Sequence, residues 1–158
     1  MKAASVNEIK RELKDVNPVE LVELSLRLAR YKKENKELIS YILFEAHDQQ
    51  QYIKNVKEEI DKAFSQINIS NLYFAKKTLR KILRMANKFI RFAANKTTEV
   101  EILLHYCTNF NGLKKIWNKS TALTNVYNSQ LKKIESSVTA MHEDLQHDYL
   151  KELRRLEI

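Results

Sequence analysis

One glycine (Gly112), one proline (Pro18) and one cysteine (Cys107) are all that 158 residues contain of these types. Sheet proteins need turn residues at short, regular intervals, and this chain has almost none to offer. Helices can be separated by Asn, Ser and Thr caps instead. A Gly-rich phosphate loop is excluded for the same reason. A lone cysteine rules out a disulfide framework and a thiol-rich zinc site. No apolar run approaches the roughly 20 residues that a membrane span needs. The first residues, MKAASVNEIKREL, lack the apolar centre of a signal peptide, so a cytoplasmic, reduced setting is expected.

These absences predict an all-α fold, an antiparallel bundle of about five to six helices with a long C-terminal helix. An irregular α-solenoid is the alternative. The length suits a single helical domain over 1–158, in which 119–158 forms a long last helix that packs back or projects.

The helix starts are legible. Ser5 and Glu8 have capping-box spacing and open a short helix ending near Asp15. Asn17-Pro18-Val19-Glu20 places a cap, a proline at the first helical position and an acid at the third. The helix that follows carries Leu21, Leu24, Leu28 and Tyr31 on one seam, with Val22, Leu26 and Ala29 beside it. Apolar over so broad an arc, it is expected to be well buried. A turn over 32–36 precedes a third helix, in which Ile39 to Ile67 step by three or four residues. The polar run HDQQQ (47–51) contains no breaker, so one long helix is expected, with two stacked helices as the alternative.

Ser70 or Asn71 caps the fourth helix, and Thr98 with Glu101 forms a capping box for the fifth. Asn111-Gly112 closes it, glycine supplying a left-handed residue. From Leu113 onward, Tyr127, Leu131, Ile134, Val138, Met141, Leu145, Tyr149, Leu153 and Leu156 sustain one amphipathic pattern, interrupted at most at NKST (118–121).

Acidic residues are scarce in one region only. Residues 62–134 hold 14 Lys/Arg against Glu99 and Glu101, whereas 1–61 hold 11 against 12 and 135–158 hold 3 against 6. The net charge of +8 therefore belongs to the middle of the chain. At 100° per residue, Lys77, Arg80, Lys81, Arg84, Lys88 and Arg91 share one face of the fourth helix, opposite its apolar face. They form a cationic rail roughly 21 Å long at 1.5 Å per residue. Like charges four apart cost a few tenths of a kcal/mol each, a cost that Lys77–Lys81, Arg80–Arg84 and Arg84–Lys88 all accept. Phe74, Met85 and Phe92 run beside the rail as a minor stripe that reads as a second packing seam. Carboxylates within KNVKEEIDK (54–62) are placed to neutralise part of the rail from a neighbouring helix.

Catalytic signatures are missing. His142 and His147 are five apart, about 140° round a helix, and do not share a metal as the His-Glu-x-x-His pair does. His105 and Cys107 point in different directions, and Cys107 reads as a buried, inert thiol. Glu101 and His105, four apart, are expected to touch. No enzyme activity, cofactor, metal or small-molecule substrate is expected. A small helical interaction or scaffold protein that binds another protein or itself is the leading expectation. Non-sequence-specific nucleic-acid or polyanion binding through the basic helix 71–96 is the alternative.

Overall fold

Polar caps place the helices, as the composition requires. In a computed structural model that describes residues 1–157, the described residues form α-helices and no strands. The helices are α1 (Val6–Asp15), α2 (Pro18–Tyr31), α3 (Lys33–Ser40), α4 (Gln49–Ser65), α5 (Leu72–Ala93), α6 (Lys96–Gly112), α7 (Lys114–Trp117), α8 (Thr121–Thr139) and α9 (Glu143–Leu156). Contacts divide the chain into two compact units, Met1–Phe44 and Glu45–Ile158.

In the first unit, Ser5 and Glu8 close the expected capping box, and Asn17 Oδ1 accepts from the Glu20 amide ahead of Pro18. Helices α2 and α3 form a hairpin. Asn35 Nδ2 ties its turn by donating to the Leu28 carbonyl at 2.9 Å. The expected burial of α2 does not occur: none of α1, α2 or α3 contains a buried residue. An apolar arc states what a helix needs to cover, not that its own unit supplies the cover.

The second unit is a bundle built round α6. That helix is apolar over a broad arc, with Glu101, His105 and Thr108 on its remaining side, as expected of one packed by several others. Val100, Ile102, Leu103, Tyr106, Cys107 and Phe110 are fully buried, with α4, α5, α8 and α9 round them. Phe110, Trp117 and Tyr127 stack with ring centroids 4.9–5.4 Å apart. Three aromatic polar tips in the core find backbone carbonyls. Tyr106 Oη donates to Leu79 at 3.0 Å, Trp117 Nε1 to Phe110 at 2.7 Å and Tyr127 Oη to Leu156 at 2.7 Å. The rings thus enter the core without leaving an unpaired donor.

Four helix boundaries differ from the sequence expectation. The single helix through HDQQQ is two: α3 runs into a π-helical turn at Tyr41–Glu45, and α4 starts afresh. Asp48 is the reason, since its carboxylate accepts from the Gln51 amide and caps α4. The fifth helix is capped by Asn95 accepting from Thr98, not by Thr98 itself. Thr98 Oγ1 donates instead to Gln49 Oε1, and Glu101 is engaged by Lys57 and Tyr149. Gly112 has no left-handed backbone; the left-handed residue is Ala94, at φ 47° after α5.

The long C-terminal helix is also divided. Helix α8 ends at Thr139, and His142 caps α9 through Nδ1, which accepts from the Asp144 amide. Gln146 Nε2 donates back to Met141 at 2.7 Å, fixing the bend. Helix α9 folds onto α6 and α8 and buries Leu153 and Leu156.

Candidate interaction surfaces

The first surface belongs to α2 and α3. Their apolar side chains line a cleft from Leu21, Val22, Leu26 and Ala29 on α2 to Ile39 on α3 and Ile42 in the π-helical turn that follows it. Beside that cleft on α2, Leu24 is 40% exposed, Leu28 50% and Tyr31 76%. Further along, Leu43 and Phe44 are also open. Scattered exposed leucines are ordinary; a seam at helical spacing on an element without buried residues is not.

The second surface is the rail on α5. Asn71 caps that helix, accepting from the Tyr73 and Phe74 amides. Ala75, Leu79, Ile82, Ala86 and Ile90 anchor the opposite side in the core. This anchoring turns Lys77, Arg80, Lys81, Arg84 and Arg91 outward, and all five are exposed. Among the described residues, none of those five forms an ion pair. Lys88 departs from the rail: it is half-buried, with its ammonium 4.9 Å from the centroid of the Phe89 ring.

The carboxylates able to neutralise the rail are engaged elsewhere or lie aside. Asp61 accepts from Asn109 and sits 2.6 Å from His105 Nε2, while Glu58 and Glu59 line a cleft with Tyr52 and Phe89. The two acids of the basic region are also committed. Glu99 is buried, with Lys133 at 3.0 Å, Lys96 at 3.1 Å and the Ser137 hydroxyl at 3.1 Å. Burial works to raise its carboxyl, but Lys133, Lys96 and Ser137 outweigh that and hold it below its ordinary value. Glu101 behaves alike: burial opposes, and hydrogen bonds from Lys57 and Tyr149 prevail.

Sequence reasoning missed the aromatic end of the rail. Tyr73, one turn ahead of Lys77 and within about 40° of it on the helix, is 71% exposed, and its ring meets Phe74 edge-on. Its i, i+4 spacing from Lys77 was the available signal. The Phe74, Met85, Phe92 stripe divides. Phe74 is open, while Met85 and Phe92 are half-buried, Phe92 edge-on to Phe89.

The residues weighed for chemistry lie apart. Cys107 is fully buried, which pushes its thiol up to about 12. His105 Nε2 lies 2.6 Å from Asp61, while Glu101, expected to touch His105, is near enough for the imidazole's charge to act on that carboxyl. His142 and His147 are exposed, the former serving as the α9 cap. Among the described residues, no group of three His, Cys, Asp or Glu side chains is placed to hold a metal ion, and no helix is long and apolar enough to cross a membrane.

Comparison with protein-family models, with curated proteins and with solved structures finds no match.

Proposed function

We propose that the protein is a helical interaction protein whose N-terminal unit docks onto another polypeptide chain through the outward face of α2. The observation that carries this reading is the absence of any buried residue in α1–α3, despite the apolar arc of α2. Units of about 40 residues generally need a disulfide, a metal or association with another chain to hold their fold. Residues 1–44 contain neither cysteine nor histidine, so association is the route their composition favours. Leu24, Leu28 and Tyr31 offer the partner a continuous apolar ridge of the kind that helix pairs bury.

A photo-crosslinking side chain at position 24 or 28 tests the proposal, with one at exposed Lys151 of the second unit as control. Polypeptide adducts at 24 and 28, absent from the control and lost with Tyr31→Asp, support the reading. No adduct at 24 or 28, or equal adducts at 151, contradicts it.

The exposed, unneutralised cations of α5 favour a second reading, binding of a nucleic-acid backbone along Lys77–Arg91 with Tyr73 available to stack on a base. Anisotropy titration with labelled single- and double-stranded DNA and RNA tests it at two salt concentrations. Five phosphate contacts on duplex DNA predict a log–log salt slope of up to about −4.5. Failure to bind at low salt, or equal binding by Arg80→Glu/Arg84→Glu, contradicts it.

A further inference from the structure

Helix α2 reads as a charge-inverted palindrome. Counting outward from Ser25, Glu23 is matched by Arg27 and Glu20 by Arg30, and at every other step to Val19 and Tyr31 an apolar residue meets an apolar residue. The four charges share one side of the helix. At 100° per residue, Glu20, Glu23, Arg27 and Arg30 fall within about 80° of one another, and Leu24, Leu28 and Tyr31 fill the adjoining 60° or so. The charged stripe lies opposite the α2 residues that line the cleft shared with α3, and the apolar stripe lies between the two, with Leu28 next to Leu21 at the cleft edge. All four charged side chains are exposed, and among the described residues none of them forms an ion pair.

A single helix accounts for only part of this arrangement. The macrodipole rewards an acid in the first turn and a base in the last, which covers Glu20 and Arg30. Glu23 and Arg27, four apart with the acid first, are spaced to support one helix, yet among the described residues they form no ion pair. The like charges Glu20–Glu23 and Arg27–Arg30, three apart, work against a lone helix. A second copy of the same helix accounts for all four.

We infer that the partner of this face is a second copy of the chain, with α2 running antiparallel to its counterpart about a two-fold axis level with Ser25. This inference rests on the docking reading above and names its partner. A two-fold contact is self-complementary, so that each residue contact occurs twice. Antiparallel pairing therefore sets Glu20 beside Arg30 and Glu23 beside Arg27, each on both sides of the axis, flanking a seam of Leu24, Leu28 and Tyr31. Parallel pairing would set Glu against Glu and Arg against Arg, so the charge order selects the antiparallel form.

Sedimentation equilibrium on the full chain tests this with two charge-reversed variants. The wild type is expected to dimerise. Glu20→Arg/Glu23→Arg makes the stripe wholly basic and Arg27→Glu/Arg30→Glu makes it wholly acidic; each should weaken self-association roughly a hundredfold through like-charge juxtaposition. An equimolar mixture of the two should form a heterodimer, which also shows that both variants retain a competent α2. A monomeric wild type at high concentration, variants that dimerise as the wild type does, or a mixture that stays monomeric would each overturn the inference. The docking reading fails separately, when position 24 or 28 crosslinks to no polypeptide, whereas adducts to a different polypeptide sink the self-pairing alone.

Discussion

Tyr31 and Tyr106 both continue apolar patterns along a helix, yet Tyr31 is 76% exposed and Tyr106 is fully buried. The difference is in what surrounds them. Helix α6 is enclosed by four helices of its own unit, and the Tyr106 hydroxyl has the Leu79 carbonyl as its partner. Helix α2 packs mainly on α3 within its unit, and its neighbouring seam of Leu24, Leu28 and Tyr31 is exposed. Equal patterning thus leads to a finished core in one unit and an available surface in the other. Burial is a property of the cover as much as of the helix.

The largest effect that sharpens this contrast is Trp117→Ala. It empties a buried site against Phe110 and Tyr127 and should cost about 3–5 kcal/mol in urea unfolding. Leu24→Ala, at a position of similar apolar character in the sequence, should change unfolding of dilute protein by less than about 0.5 kcal/mol. A cost for Leu24→Ala near that of Trp117→Ala would break the comparison.

Next in size is the ionic support of the second unit. Glu99→Gln removes the charge that Lys96 and Lys133 share and should cost about 1–2 kcal/mol at neutral pH, since both lysines regain water. The depressed Glu99 carboxyl adds a pH signature. Its stabilisation is fully present above the ordinary carboxylate value of 4.5 and is lost as pH falls below that toward the lowered folded value. Acid titration of stability should therefore be shallower in Glu99→Gln than in the wild type.

Tyr127→Phe leaves the Leu156 carbonyl without its donor and should cost about 1 kcal/mol, read as earlier loss of α9 protection. The smallest pair concerns helix ends. Gly112→Ala should stabilise by about 0.5 kcal/mol, because the residue is helical and its added Cβ meets nothing within 4 Å. Ala94→Gly should stabilise by a similar amount, about 0.5–1 kcal/mol, by relieving a left-handed alanine. Thermal melts check both.

Local signals in the sequence carried the all-helical class, the Ser5 and Asn17 starts, the α5 cap to within Ser70 or Asn71, and the outward direction of the α5 cations other than Lys88. These depend on residues within a turn or two of each other. What stayed hidden depends on competition or on distance. Asn95 and Thr98 both suit a cap, and only the pull of Gln49 on Thr98 decides between them. Asp48 inside HDQQQ resembled a helical surface residue until its carboxylate was seen to take the Gln51 amide. The bend after Thr139 interrupts a heptad pattern that continues across it, because α9 presents the same spacing to α6 and α8 as an unbroken helix would present to a partner. The openness of α2 was unreadable for a related reason: a sequence shows the stripe and not its neighbour.

Native-state amide exchange of the full chain, followed by helix at low and high protein concentration, tests the central claim most directly. The account predicts that α6 exchanges only through global unfolding at both concentrations. It predicts that α2 exchanges orders of magnitude faster in dilute protein and gains protection as concentration rises. An α2 as slow to exchange as α6 in dilute solution would contradict it, since the helix would then need no second chain.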